Sequence, residues 1–172
     1  THDLEVQRLV GSLVSHLADL DETLASLSGL ADRMLAAATG AAERLLAPRF
    51  GVVRNSEGDK VPLVILGMGK LGGCELNFSS DIDLIFLYPE DGQSDGPKRV
   101  SAHEYFARLV RQVVALLDER TADGFVFRVD TRLRPFGDSG PPVVSFAALE
   151  SYLLQHGRDW ERYAYIKARV VG

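Results

Sequence analysis

The amino-terminal part of the chain has the hydrophobic pattern of helices. Leucine recurs at three- to five-residue steps from residue 4 to residue 27, and alanine-rich sequence continues to about residue 47. Leucines at these steps share one helical face, which is typical of packing surface rather than of a reactive site. We predict a helical hairpin or a pair of helices, interrupted at Gly29 or Gly40 and ended by Pro48.

The pattern then changes to short apolar runs bounded by glycine, proline and polar residues. Residues 63–66 (LVIL) are too few for a helix and predict a buried strand. A second apolar run, which Asp81 and Asp83 open and which continues to Tyr88, predicts a second strand. Polar connections are expected at residues 51–60 and 89–99.

Capping residues predict the helices that follow. Ser101 and Glu104 form a capping box that opens a helix through Leu117. Ser145 is expected to begin a helix that runs to about Gln155. A last helix is predicted to be capped by Asp159 and to continue through Val171. Its expected buried side is Trp160, Tyr163, Ala164 and Val170, and its expected basic side is Arg158, Arg162, Lys167 and Arg169.

Residues 125–134 predict a third strand, which would follow a turn at Asp123 and Gly124. Phe125, Phe127 and Val129 occupy every second position and therefore share one face of this strand, which is apolar. The opposite face carries Arg128, Asp130, Arg132 and Arg134. The glycine- and proline-rich loop at residues 135–142 is expected to form a rim over any site that these side chains build.

Two aspartates at the start of the second strand carry the candidate chemistry. Asp81 and Asp83 share one face of a strand, because successive side chains point to opposite faces. Two unpaired neighbouring carboxylates repel, which would raise the pKa of one of them, and a divalent cation such as Mg²⁺ or Mn²⁺ removes the conflict. Asp130 would be a third ligand if its strand lies beside this one; otherwise an ion pair with an arginine explains it.

The glycine-rich segment before the aspartates is compatible with phosphate binding. Gly67, Gly69 and Gly72 match G-x-G-x-x-G after a strand, but only eight residues separate Gly72 from Asp81, too few for the helix of a dinucleotide-binding crossover. A P-loop is excluded by spacing. Glycines let backbone amides approach phosphate oxygens, with Lys70, Ser79 and Ser80 nearby. A tight turn whose glycines only relieve crowding is the alternative.

Composition narrows the class of protein. The 172 residues suffice for one well-buried domain, and 46% hydrophobic and 25% charged residues are ordinary for a globular protein. No apolar run would span a bilayer and no signal segment is evident, so we expect a cytoplasmic protein without a membrane partner. A net charge of −5 disfavours nucleic-acid binding, and the lone Cys74 excludes an internal disulfide. The chain looks excised from a longer one.

Three stretches together resemble a known family. The order of G-K, D-I-D and a distant strand aspartate resembles the polymerase-β-like nucleotidyltransferase superfamily. Within it, the chain is similar to the glutamine synthetase adenylyltransferase family, and the closest stretches are GMGKLGGCELNFSSDIDLIFLY, DGFVFRVDTRLRPFGDSGP and GRDWERYAYIKAR. The resemblance implies an α+β fold with a small mixed β-sheet and flanking helices. We expect a helical segment at residues 1–50, the catalytic core at 51–140 and carboxyl-terminal helices, the start of a truncated helical region, at 141–172.

The resemblance also implies the site. Asp81, Asp83 and Asp130 match the acids that hold two Mg²⁺ ions in that superfamily, with Mn²⁺ as an alternative. Lys70 stands where the superfamily pattern has a serine. The residues expected on the phosphate and nucleotide side are Gly69, Lys70, Gly72, Ser79, Ser80, Arg132 and Arg134; for the two arginines this follows from charge and strand alternation.

The family implies a reaction and partners. Its members are two-headed bacterial enzymes in which one half attaches AMP to a tyrosine of glutamine synthetase and the other removes it by phosphorolysis, releasing ADP. RLRPFGDSGP and GRDWERYA resemble the amino-terminal, deadenylylating half. The implied partners are glutamine synthetase, phosphate, ADP or ATP, and a PII-type signalling protein. The alternatives are ATP-dependent adenylylation, a regulatory module that binds nucleotide without turnover, and a dinucleotide oxidoreductase.

Overall fold

The computed structural model describes Gly11, residues 19–122 and residues 124–172. Residues 1–10 and 12–18 of the predicted leucine-rich helices, and Asp123 of the predicted turn, lie outside these ranges. The helices are α1 (Leu20–Phe50), α2 (Gly69–Gly72), α3 (Ala102–Asp118), α4 (Phe146–Gln155) and α5 (Asp159–Ala164), with 3₁₀ turns at Gly137–Ser139 and Tyr165–Lys167. The strands are β1 (Val53–Arg54), β2 (Val64–Gly67), β3 (Ile82–Tyr88), β4 (Gln93–Ser94), β5 (Val129–Asp130), β6 (Val144–Ser145) and β7 (Arg169–Val171).

A mixed sheet centred on β3 organises the fold, which is α+β as predicted. The strand order is β5-β3-β2-β7, and β6 also pairs with β3. Strand β2 is antiparallel to both β3 and β7, whereas β5 and β6 run parallel to β3 near its two ends. Strand β3 suits the central place because it is apolar on both faces over most of its length.

The two faces of β3 pack into different hydrophobic clusters. Ile82, Leu84 and Phe86 enter the larger cluster, which α1 and α3 cover. Ile85 and Leu87 enter a smaller cluster on the opposite face. Asp83 shares the second face by strand alternation, at the end of β3 where apolar packing gives way to a polar opening. The hydrophobic pattern of β3 therefore fixes the direction of this carboxylate.

Helix α1 runs unbroken, so the predicted interruption at Gly29 or Gly40 is wrong. Pro48 lies inside its last turn, and the helix ends when the Gly51 amide donates to the Ala47 carbonyl. The face toward the core consists of small or aliphatic residues, which allow close helix packing: Ala31, Leu35, Ala38 and Ala42. Packing of this stripe outweighs the cost of two glycines in a helix.

The third predicted strand is shortened to Val129–Asp130. The predicted apolar face does not form over its full length, since Phe125 is exposed. The chain turns after Asp130, whose carboxylate accepts from the Arg132 amide at 2.8 Å, and the Arg134 amide donates to the Thr131 carbonyl. These local hydrogen bonds compete with continued strand pairing.

The last predicted helix is also wrong in its second half. Helix α5 ends at Ala164, and residues 169–171 form β7, which pairs with the otherwise open edge of β2. Most of the expected buried side does not form: Trp160, Tyr163 and Val170 are exposed, whereas Val171 is buried. Of the four expected residues, Ala164 packs, partly buried, against the smaller hydrophobic cluster. Arg158 rather than Asp159 occupies the N-cap position. Backbone hydrogen bonds at a sheet edge outweighed a helical pattern here.

Other local signals are confirmed, except that the Glu104 carboxylate of the predicted capping box pairs with Arg108 at 2.7 Å. Strands β2 and β3 form where the apolar runs predict them, and the Ser101 hydroxyl accepts from the Glu104 amide at the start of α3. The Ser145 hydroxyl likewise accepts from the Ala148 amide at the start of α4. Across the described parts of the chain, none of the helices combines the length and apolar character that crossing a membrane requires.

Candidate functional site

Parallel pairing of β3 with β5 brings the predicted acids together. Asp83 lies opposite Asp130 in the register of the two strands, and Ile82 lies opposite Val129. The Ile82 amide donates to the Arg128 carbonyl at 2.9 Å, which extends the pairing by one residue toward Asp81. The three carboxylates therefore reach one pocket at the same end of the sheet.

This pocket has a volume of about 500 Å³ and is mostly polar. Three acids and three basic side chains line it, so its formal charges balance. Its lining consists of Gly69, Lys70, Asn77, Ser79, Ser80, Asp81, Asp83, Arg128, Asp130 and Arg132. We call it the acidic pocket.

Asp83 is the least compensated carboxylate of the acidic pocket. Burial raises the pKa of its carboxyl, and repulsion by Asp130 and Asp81 raises this pKa further. Arg132 and Lys70 act in the opposite direction, but more weakly. No ion pair or side-chain hydrogen bond joins Asp83 to another described residue. A cation placed beside this carboxylate would relieve both the burial and the repulsion.

The other two acids are each paired with an arginine. Arg128 Nε lies 2.6 Å from Asp81 Oδ1, and the same guanidinium donates to the Ser79 carbonyl at 2.6 Å. Arg132 holds Asp130 through Nε and Nη2, with Nη2 2.5 Å from Oδ2. The hydrogen bonds from Arg132 hold the pKa of the Asp130 carboxyl below its usual range.

The glycine-rich segment forms the opposite wall. Gly69 has a positive φ of 50°, and a Cβ atom there would lie 3.0 Å from Asp83 Oδ2. Glycine therefore satisfies both the backbone conformation and the close approach to the carboxylate. Lys70 Nζ donates to the Ser80 hydroxyl at 3.2 Å, and Ser80 donates to the Asn77 side chain.

Two predicted residues lie outside the acidic pocket. A Cβ atom on Gly72 would collide with the carbonyl oxygen of Lys167, so this glycine allows two backbone segments to pack. The Arg134 side chain is largely buried, donates to the carbonyls of Thr131 and Gly140, and lines a separate cavity beside α3.

Arg128 and Asn77 also line the acidic pocket, although neither is among the predicted site residues. The alternation that places Asp130 on the charged face of its strand places Arg128 there too, so charge and alternation together identify Arg128. Asn77 lies in an irregular turn where no periodic pattern exists, and no sequence signal identifies it.

The donor chemistry of the acidic pocket fits a hard divalent cation. Three carboxylates supply the oxygen ligands that Mg²⁺ and Mn²⁺ prefer. Among the described residues, no group of three or more His, Cys, Asp or Glu side chains has an arrangement that would hold a metal ion. Two of the three carboxylates face guanidinium groups instead, so a cation would have to displace these partners.

Comparisons with known proteins identify the family. The sequence model of the family described as glutamate-ammonia ligase adenylyltransferase matches residues 3–172. Proteins named bifunctional glutamine synthetase adenylyltransferase/adenylyl-removing enzyme are similar to this chain in several bacteria. The one from Chromobacterium violaceum is 53% identical over 96% of this chain and 19% of its own length.

Two further relatives with the same name show comparable similarity. The protein from Thioalkalivibrio sulfidiphilus is 53% identical over 97% of this chain and 17% of its own length. The protein from Vibrio parahaemolyticus is 52% identical over 91% of this chain and 17% of its own length. The chain thus spans less than a fifth of the length of these curated relatives. By its sequence over nearly all its length, the chain belongs to the glutamate-ammonia ligase adenylyltransferase family of nucleotidyltransferases.

Proposed function

We propose that this chain carries the nucleotidyltransferase site that removes AMP from adenylylated glutamine synthetase by Mg²⁺-dependent phosphorolysis. The observation that carries the proposal is the acidic pocket, where three carboxylates and three cationic side chains face the same space. In this proposal residues 51–140 form the catalytic core, which residues 1–50 and 141–172 support. The names of the relatives cover both attachment and removal of AMP.

The proposed reaction exchanges one phosphorus–oxygen bond for another. An oxygen of inorganic phosphate attacks the phosphorus of the tyrosyl-AMP ester, the bond to the tyrosine oxygen breaks, and that oxygen takes up a proton. The products are ADP and unmodified tyrosine. No covalent intermediate on the protein is required, so the side chains of the pocket need only to position and stabilise charge.

Asp81, Asp83 and Asp130 would hold the divalent cations, which stabilise the developing charge on the reacting phosphoryl oxygens when bound. The unpaired carboxylate of Asp83 provides the strongest local attraction for such a cation. Because its charge is opposed by burial and by two neighbouring acids, binding a cation there relieves an unfavourable state of the free protein.

The basic side chains have a separate task. Phosphate and the AMP ester are both anions, and the net charge of the chain is −5. Lys70 lies in the pocket without a carboxylate at ion-pair distance among the described residues, and its ammonium group donates to the Ser80 hydroxyl. This ammonium group is therefore available to hold a phosphate oxygen against the repulsion of the second anion.

The direction of the reaction, removal rather than attachment of AMP, is inferred from two segments of the sequence. RLRPFGDSGP and GRDWERYA resemble the amino-terminal, deadenylylating half of the family. The second candidate function is ATP-dependent adenylylation, which the same pocket chemistry and the same relatives favour. Two assays separate them. Adenylylated glutamine synthetase with phosphate and Mg²⁺ should yield ADP, whereas unmodified glutamine synthetase with ATP and Mg²⁺ would yield pyrophosphate if the second candidate is correct.

A variant experiment tests the assignment of the acids. The double variant Asp81→Asn, Asp83→Asn should abolish ADP formation while its circular dichroism spectrum and melting temperature stay close to those of the original protein. Asp91→Asn is the matched control, because Asp91 is an exposed acid beyond the far end of β3. Undiminished ADP formation by the folded double variant would refute the assignment.

A further inference from the structure

Arginine side chains form ion pairs with two of the three aspartates that would hold the divalent cations. The Arg128 guanidinium bridges Asp81 and the Ser79 carbonyl, and the Arg132 guanidinium forms a forked pair with Asp130. Asp83 alone has no such partner in the described part of the chain. A cation that binds all three carboxylates must therefore compete with two guanidinium groups.

The two guanidinium groups lie where they can leave their carboxylates. The side chains of Arg128 and Arg132 are 52% and 70% exposed, so water can solvate each guanidinium when it leaves its carboxylate. The Arg128–Asp81 pair contributes little net free energy, because both side chains are exposed (52% and 44%) and solvation of the separated charges offsets most of their attraction. The Asp130 side chain is only 14% exposed, so the Arg132–Asp130 pair is the stronger of the two. Neither pair is fully buried, so displacing them should cost less than displacing a buried pair.

The released guanidinium groups would remain at the edge of the same pocket. Both arginines already line it together with Lys70. A planar guanidinium offers a fork of donors that matches two oxygens of a phosphate group as well as two oxygens of a carboxylate. An anionic phosphate group in the pocket is therefore the natural second partner for each arginine.

We infer that Arg128 and Arg132 pair with Asp81 and Asp130 until a divalent cation binds, and then transfer to phosphate groups of the nucleotide. This inference rests on the function proposed above. It predicts effects of opposite sign when an arginine is removed. Cation affinity should increase because a competitor is lost, and nucleotide affinity should decrease because a phosphate donor is lost.

Isothermal titration of the purified chain with Mn²⁺ alone tests the first effect. Arg128→Gln should bind Mn²⁺ about two- to fivefold more tightly, the range expected from an exposed ion pair. Arg132→Gln should gain at least as much, because its partner Asp130 is only 14% exposed. Titration with ADP at saturating Mn²⁺ tests the second effect. Each variant should bind ADP about tenfold more weakly, as expected for loss of a charge-assisted hydrogen bond.

The chain offers a matched control. Arg54 pairs with Asp95 at 2.7 Å, with side-chain exposures of 46% and 38%, and it lies outside the acidic pocket. Arg54→Gln should change neither Mn²⁺ nor ADP affinity. Arg128→Lys retains the positive charge without the fork, so it should keep Mn²⁺ affinity near the original value and recover part of the ADP affinity. Melting temperatures establish that each variant is folded.

The outcomes separate this inference from the function on which it rests. Tighter Mn²⁺ binding together with weaker ADP binding supports the exchange. Unchanged or weaker Mn²⁺ binding by folded Arg128→Gln and Arg132→Gln would overturn it, since a purely structural arginine predicts that result. If the original protein and all variants failed to bind Mn²⁺, the metal-dependent function itself would be refuted, and the exchange with it.

Discussion

One glycine-rich turn separates two charged regions, a candidate cation site and a set of ion pairs that hold segments of the fold together. Gly69 faces the acidic pocket, where a Cβ atom would approach Asp83. Gly72, three residues later, faces the segment that leads into β7. We call this second region the junction; it consists of Gly72, Asp32, Glu75, Lys167 and Arg169. Similar residue types line both sides, but Gly69 lines the acidic pocket whereas Gly72 lies against the backbone of Lys167.

Pairing of charges is complete in the junction. Arg169 Nη1 lies 2.7 Å from Asp32 Oδ2, and Arg169 Nη2 donates to the Leu71 carbonyl at 3.1 Å. Lys167 Nζ lies 2.6 Å from Glu75 Oε2. These contacts connect α1, the glycine-rich turn and the last strand, so their role is structural.

In the acidic pocket, one carboxylate is left over. Asp81 and Asp130 have arginine partners, but Asp83 has none within the described ranges, and burial raises the pKa of its carboxyl. An ion pair alone therefore does not distinguish a site from a structural contact. The difference is the uncompensated, half-buried Asp83 carboxylate, which gives the pocket an attraction for a cation that the junction lacks.

The largest expected effect is at Asp83, where a substitution should reduce activity without reducing stability. Asp83→Asn should lower ADP formation by about 10³-fold, because a lost cation ligand removes several kcal/mol of transition-state stabilisation. The melting temperature should stay level or rise, since the neutral amide removes the repulsion from Asp130 and Asp81. Asp32→Asn should show the reverse pattern. A large fall in melting temperature for Asp83→Asn would contradict this comparison.

The next largest effect is expected when the two glycines that face the acidic pocket and the junction are replaced by alanine. Gly72→Ala should lower the free energy of unfolding by about 1–3 kcal/mol, as overpacking does, because its methyl group meets the Lys167 carbonyl and lies 2.6 Å from that of Gly67. Urea unfolding measures this change. Gly69→Ala is the companion variant and should impair Mn²⁺ binding through its contact with Asp83. An equal effect of both variants on Mn²⁺ binding would remove the distinction between the two faces.

A smaller loss of stability is expected at Arg169. Arg169→Ala should cost about 1–2 kcal/mol in urea unfolding, because it leaves Asp32 and the Leu71 carbonyl without their partners in a half-buried place. Arg169→Lys should retain part of this free energy through its charge. A change below about 0.5 kcal/mol for Arg169→Ala would show that solvent replaces these contacts.

The smallest effect is expected for the exposed pair of the junction. Glu75→Gln should change the free energy of unfolding by less than about 0.5 kcal/mol, because both side chains of the Lys167–Glu75 pair are about half exposed. Repeating the urea titration in high salt should remove even this difference. A larger, salt-independent loss would mean that the junction depends on this pair as much as on Arg169.

Local signals explain which elements could be predicted from sequence. The Ser101 and Ser145 caps act within one helical turn, and the apolar runs of β2 and β3 are short and continuous, so each of these elements could be predicted from its own residues. Residues 169–171 could not, because their strand conformation comes from hydrogen bonds to the edge of β2. After Asp130 the reason is different, because local hydrogen bonds to Asp130 and Thr131 turn the chain where the alternating pattern predicts a longer strand.

For the site, sequence by itself determined that Asp81 and Asp83 project from one side of an apolar strand, because alternation is a property of the backbone. Only the tertiary structure decided that Asp130 lies beside Asp83, since this follows from parallel pairing of distant segments. It also decided that Arg128 and Arg132 pair with acids, whereas Arg134 turns into another cavity. Charge partners depend on which surfaces meet in space, and no local pattern in the chain encodes that meeting.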